Sequence, residues 1–206
     1  MSNPRTVIIV LSRYQDFFDR VRRTVEMFEP YEEWMLVVDG AFAAKGWKMV
    51  RGKEPYTHAG NVNLGIEAAG SRDVLLLDDD VELLMPNSVR VLRELAYSDP
   101  AIGIIAPQVE GRCGNHLMRS TTKLLSPIML SSQAMPGFCL YIKRAVIEQI
   151  GLLPESEQVG NDSDAKFTRM AQEAGWKLAV TPLVRVKHGV EGGPRPTYGR
   201  RQCGEV

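Results

Sequence analysis

Cysteine is scarce in this chain. Its 206 residues carry only three, Cys113, Cys139 and Cys203, far apart and with no CxxC pair. That excludes a disulfide framework and a cysteine-built zinc site, and the expectation is a reduced, intracellular protein. An excess of charge is missing as well: 25 Lys and Arg balance 25 Asp and Glu, so no global field points to nucleic acid or to a membrane surface. Long apolar runs are absent. The run at residues 7–11 is too short to span a bilayer and no small-residue cleavage site follows it. There is no internal repeat and no low-complexity segment. No GxGxxG follows the first apolar run and no GxxxxGK(S/T) occurs anywhere, so dinucleotide and P-loop readings lose their main support. The length suits one large domain or two small ones and is enough to bury a substantial core.

What is present centres on residues 73–82, Asp-Val-Leu-Leu-Leu-Asp-Asp-Asp-Val-Glu. The run 74–77 does not alternate, which predicts a strand buried on both faces of a parallel sheet. Such a strand delivers its carboxyl end to the crevice where open α/β sheets bind ligands. Asp78, Asp79 and Asp80 there repel one another unless a cation holds them. A hard divalent ion, Mg2+ or Mn2+, takes oxygen ligands and keeps room for phosphate oxygens. The same carboxylates also suit an acidic turn ahead of the next helix.

Around this stretch strands and helices alternate. Strands are expected at residues 6–11, 34–38, 47–50 and 102–106. A helix with Phe17, Val21, Val25 and Phe28 on one face ends at Pro30. Another spans residues 59–69, with Val62, Ile66 and Ala69 inward and Gly70 closing it. Asn87 is expected to cap a third, with Val89, Leu92 and Leu95 along its face. This βαβ order predicts a parallel sheet covered by helices. Residues 112–133 read as loop-rich. Beyond them come a strand at 137–142 opened by Gly137, a short helix at 145–150, and a helix with Phe167, Met170, Ala171 and Ala174 inward. Two short strands follow, 177–180 and 184–187, and then His188.

Each strand end carries polar residues. Leu11, Ser12 and Arg13 follow the first strand, and Asp39 the second, where it is placed to accept a hydrogen bond from a pyrimidine ring. Asn61 and Asn63 lie on the helix before the acidic strand. Singly these are ordinary loop or helix residues; together on one sheet edge they suggest a nucleotide site. Asp162 and Asp164 open a helix, where one is expected to act as its N-cap and the other is available as a general base. His188 is either a metal ligand through a neutral ring nitrogen or a surface residue. His58 and His116 have no better local case.

The order of these motifs resembles the family 2 glycosyltransferases, whose fold is called GT-A. The resemblance rests on Val7-Ile8-Ile9-Val10-Leu11-Ser12-Arg13, Val37-Val38-Asp39-Gly40, Asn63-Leu64-Gly65-Ile66, Asp78-Asp79-Asp80, Gly137 to Arg144 followed by Ile150-Gly151, Asn161-Asp162 with Arg169 and Gly175-Trp176, and His188. It implies a Rossmann-like, mostly parallel sheet flanked by helices. A catalytic domain at 1–188 would divide into a nucleotide-sugar half, 1–110, and an acceptor half, 111–188. The implied reaction moves a sugar from a nucleoside diphosphate-sugar to an acceptor hydroxyl with inversion. Mn2+ or Mg2+ would be held by Asp78, Asp80 and His188. Leu11, Ser12, Arg13, Asp39, Asn63, Asp78 and Asp79 would bind the nucleotide-sugar. Gly137, Asn161 and Asp164 would face the acceptor, with Asp162 the base. Asn161 stands where the family usually has Glu, and Val62 where a basic residue is common. The chain ends soon after His188, so a soluble, cytoplasmic enzyme is expected. Residues 189–206, with Arg195, Tyr198, Arg200 and Arg201, are either a lid over the diphosphate or a plain flexible tail. Two alternatives remain. A nucleotidyltransferase would want a glycine-rich loop after the first strand, and a non-catalytic nucleotide-sugar-binding domain would be expected to lose the acidic residues.

Overall fold

The computed structural model describes residues 5–111, 115–155 and 162–189. Asn161, Cys113, Cys203 and the segment 190–206 lie outside the described residues, as do the expectations placed on them.

The first strand, β1 (Thr6–Ser12), has every residue buried. Side chains of a strand alternate between faces, so β1 is covered on both. It pairs in parallel with β2 (Glu33–Val38) on one side and β4 (Asp73–Asp78) on the other, and β2 pairs in parallel with β3 (Lys48–Arg51). Beyond β4 the strand directions become mixed. β8 (Cys139–Ile142) runs antiparallel to both β4 and β6 (Ile102–Gly111), and β6 runs parallel to β9 (Lys177–His188). Two short strands share the outer edge of β9: β7 (Met129–Ser131) along its first half and β5 (Val81–Leu83) along its second. The sheet order is β3-β2-β1-β4-β8-β6-β9-β5.

Five helices flank this sheet among the described residues: α1 (Gln15–Phe28), α2 (His58–Ala69), α3 (Ser88–Ser98), α4 (Arg144–Ile150) and α5 (Ser163–Glu173). α2 packs against β1 and β2. A Cβ on Gly65 would meet Ile9 Cγ2 at 2.6 Å and Val37 Cγ2 at 3.0 Å, so glycine is what lets the helix settle on β1 and β2. None of the helices among the described residues is long and apolar enough to cross a membrane.

Several local expectations are corrected. The inward face of α1 is Phe18, Val21 and Val25; Phe17 sits half-buried, its ring 5.9 Å from that of Tyr14. Phe18 and Val21 are three apart, the other spacing a helix face allows. Asn87 does precede α3, but in a left-handed conformation (φ 60°) and with no capping bond from its side chain. The donor at that helix start goes instead to Glu29, whose Oε1 accepts from Val89 N at 3.3 Å. The two expected strands 177–180 and 184–187 are one strand, β9, with a register shift opposite Pro107 and Gln108. Pro182 lies in that shift, and having no N–H it cannot extend a regular ladder.

Candidate metal and nucleotide site

Parallel pairing decides which residues meet. Ser12 sits opposite Val38, and Leu11 opposite Asp78, so the chain leaves β1, β2 and β4 at one edge. β8 runs the other way, which brings its beginning to that same edge; Cys139 pairs with Leu77, and Asp78 N donates to Phe138 O at 2.9 Å. The far end of β9 reaches it by pairing with β5, which follows the acidic triplet directly. His188 lies opposite Val81.

Three of the expected groups converge there. Ligand atoms of Asp78, Asp80 and His188 all lie within 4.8 Å of one another. His188 Nε2 is 3.4 Å from Asp80 Oδ1, and Gly189 N donates to Asp80 O at 3.0 Å. Burial pushes the Asp78 carboxyl above its usual range; the negative charges of Asp80 and Asp164 push the same way, against the opposing pull of His58 and His188. Two carboxylate oxygens and one imidazole nitrogen, crowded together, form a donor set that fits a divalent ion of the Mn2+ kind.

Asp79 faces elsewhere. Its Oδ2 accepts from Ser12 Oγ at 2.5 Å, which ties the end of β4 to the end of β1. Burial, partly offset by that bond and reinforced by Asp78 and Asp80, raises its pKa to about 7. On the neighbouring strand Asp39 is nearly enclosed and meets the Arg13 guanidinium at 2.9 Å. The same guanidinium lies over the Tyr56 ring, 5.0 Å from its centroid. Burial pushes the Tyr56 phenol up to about 12, with Asp78, Asp39 and Asp79 adding to the shift. Tyr56 therefore stays a neutral O–H donor between the Asp39 side and the acidic triplet. Neither Tyr56 nor His58 stood out in the sequence. Tyr56 precedes α2 and His58 opens it, and only the fold carries that stretch past the ends of β1 and β4.

Other expected site residues are placed differently. Asn63 is buried and its amide is consumed within the fold: Nδ2 donates to Leu153 O and Oδ1 accepts from Leu153 N, each at 2.9 Å. It fastens α2 to the segment after α4 and offers no free end to a ligand. Asn61 is a similar clasp, accepting from Lys53 N at 3.0 Å. The Leu11 side chain is in the core, leaving only its main chain near the edge. At the start of α5, Asp162 is exposed and makes no side-chain capping bond. Asp164 points inward: Oδ2 accepts from Gly137 N at 2.5 Å and Oδ1 from Ala165 N at 2.9 Å. A Cβ on Gly137 would sit 2.9 Å from Asp164 Cβ, so glycine is required for that approach.

No protein-family model matches the chain. A curated relative, the uncharacterized protein y4gI of Sinorhizobium fredii, is 23% identical over 177 residues, 76% of this chain but only 19% of its own length. Solved structures show the fold. GalNAc-T7, crystallised with UDP, GalNAc and Mn2+, superposes with a TM-score of 0.72 at 16% identity, covering 92% of this chain and 45% of its own. A mannosyltransferase, PcManGT from Pyrobaculum calidifontis in complex with GDP-Man and Mn2+, gives 0.68 at 16% identity, covering 96% and 59%. The chain thus spans about half the length of the solved structures it matches. Its architecture, a central mixed sheet flanked by helices, is the GT-A fold of these glycosyltransferases.

Proposed function

We propose that this chain is a GT-A glycosyltransferase domain, allied to family 2, that transfers a sugar from a nucleoside diphosphate-sugar to a hydroxyl-bearing acceptor. The observation that carries the proposal is the convergence of Asp78, Asp80 and His188 at the carboxyl edge of a GT-A sheet, with ligand atoms within 4.8 Å. Those three residues would hold Mn2+ or Mg2+, the imidazole favouring Mn2+. The ion, when bound, supplies positive charge to the leaving diphosphate. Mn2+ in both solved relatives supports the same reading.

The chain's own residues supply the rest. In the donor half, 1–110, the Arg13–Asp39 pair presents a guanidinium and a carboxylate side by side, complementary to the donor and acceptor edge of a nucleobase. Tyr56 closes that wall and offers an O–H that does not ionise near neutral pH. In the acceptor half, 111–188, a carboxylate must take the proton of the attacking hydroxyl. The resemblance assigned this role to Asp162. Geometry favours Asp164, which is held by two main-chain N–H groups and whose charge is felt at Asp78, over Asp162, which is exposed. A direct displacement with one base inverts the anomeric centre.

The test is a panel of nucleoside diphosphate-sugars incubated with the chain, with Mn2+ or with EDTA. Consumption of one donor, dependent on metal and abolished by chelator, is expected. The anomeric coupling in the product's proton NMR spectrum reports inversion. Full turnover in excess EDTA after dialysis would remove Asp78, Asp80 and His188 from the reaction.

A further inference from the structure

His188 is the last residue of β9, and its main chain is pinned on both flanks. It pairs with Val81 of β5 and Gly111 of β6. Gly111 has a φ of 103° and comes so close that a Cβ on it would collide with the His188 carbonyl. A fixed main chain does not aim an imidazole. The outer torsion of histidine is broad, so Nε2 can swing away from a ligand site at little cost. Something must hold the plane of the ring. The Phe138 ring does so: it lies against the imidazole with centroids 4.2 Å apart and planes 15° from parallel. Phe138 is itself only 4% exposed, so its own ring is held by the core.

Resting on the metal site proposed above, we infer that Phe138 is a positioning residue for that site, holding the His188 ring edge-on to the carboxylates so that Nε2 faces Asp80. Phe138 contacts the site twice. Its carbonyl accepts the Asp78 N–H at 2.9 Å while its ring backs His188, so one residue orients two of the three ligands. Partners outside the ligand set commonly fix ring orientation in metal sites, and their loss weakens the metal without removing a ligand. Polar groups often act this way through a hydrogen bond; the Phe138 face contributes by stacking.

The experiment measures Mn2+ alone binding to the full chain, by the EPR signal of free Mn2+, without donor or acceptor. F138L and F138M keep most of the buried volume and remove the flat face. Both are expected to bind Mn2+ about three- to tenfold more weakly than the wild type, with F138Y restoring affinity to within about twofold. In an H188A background, adding F138L should change nothing further, because the ring it positions is gone. In the metal-free wild type, the His188 ring protons, assigned against H188Q, should be shifted upfield by the Phe138 ring current. Unaltered Mn2+ affinity in F138L, an equal loss in the H188A background, or ordinary His188 shifts would each overturn the inference. A wild type that binds no Mn2+ brings down the metal site itself, and the inference with it.

Discussion

Two carboxylates two residues apart at the start of α5 have opposite surroundings. Asp164 gives one oxygen to Gly137 N and the other to Ala165 N, while Asp162 is exposed. A carboxylate steered by main-chain donors keeps one orientation in the ground state, which proton transfer needs. Asp164→Asn removes the proton acceptor, can accept from only one of the two main-chain N–H groups, and should lower transfer by about 10²- to 10⁴-fold at unchanged donor affinity. Asp162→Asn should stay within a few-fold of wild type. Steady-state transfer rates with donor affinity measured separately decide between them; a silent Asp164→Asn beside a dead Asp162→Asn would return the role to Asp162.

At the scale of elements, polar groups from distant chain positions fasten the helices. Asn63 grips both main-chain groups of Leu153 across 90 residues of sequence. Asn63→Ala leaves a buried N–H and a buried C=O without partners and should cost about 2–4 kcal/mol, read from the denaturant midpoint, while donor affinity per folded molecule holds. A lost donor affinity at unchanged stability would restore Asn63 to the binding site. Glu29 is the second such fastener. Burial, with Glu32 adding to it, outweighs the main-chain bonds from Val89 and Ser88 and the pull of Arg93, and raises its pKa from 4.5 to about 7. The folded chain therefore keeps a proton that the unfolded chain has lost. The stabilisation is fully present below about pH 4.5 and disappears as the pH rises through about 7. Its size is at most about 3–4 kcal/mol. Glu29→Gln, which cannot titrate yet still accepts from Val89, should flatten the fall in Tm across that window. A slope identical to wild type would show that Glu29 ionises normally.

For the whole molecule, the site joins strands far apart in the chain: Asp78 ends β4, Asp80 follows it, and His188 ends β9. Mn2+ held by the proposed ligands would clamp β4, β5 and β9 together and favour the folded state by mass action, by about 2.7 kcal/mol at a hundredfold excess over Kd. For a chain of this size that is a rise in Tm of about 5–10 °C. A nucleoside diphosphate should add to the rise when Mn2+ is present and do little in EDTA. Asp80→Ala should abolish the Mn2+ increment, and an increment of full size in that variant would place the ion elsewhere.

The sequence by itself determined the strands whose burial is total. Runs such as 7–11 and 74–77 have no polar face to turn outward, so only a covered sheet accommodates them. It also put Asp78 and Asp80 at a sheet edge, because carboxylates at the end of such a strand land there whatever the neighbours, while His188 stayed open until β9 paired with β5. Tertiary structure decided what local pattern leaves open. Asn63 and Asn61 look like ligand contacts until the chain folds back to occupy their amides. Asp162 and Asp164 are equivalent in sequence until Gly137, from the other side of the sheet edge, donates to one of them. Tyr56 and Phe138 carry no motif, since an aromatic residue acts here only through the ring or guanidinium packed on it. Periodicity fixes which face of an element is buried; the long-range pairing of β4 with β8 and β5 with β9 fixes what that element meets.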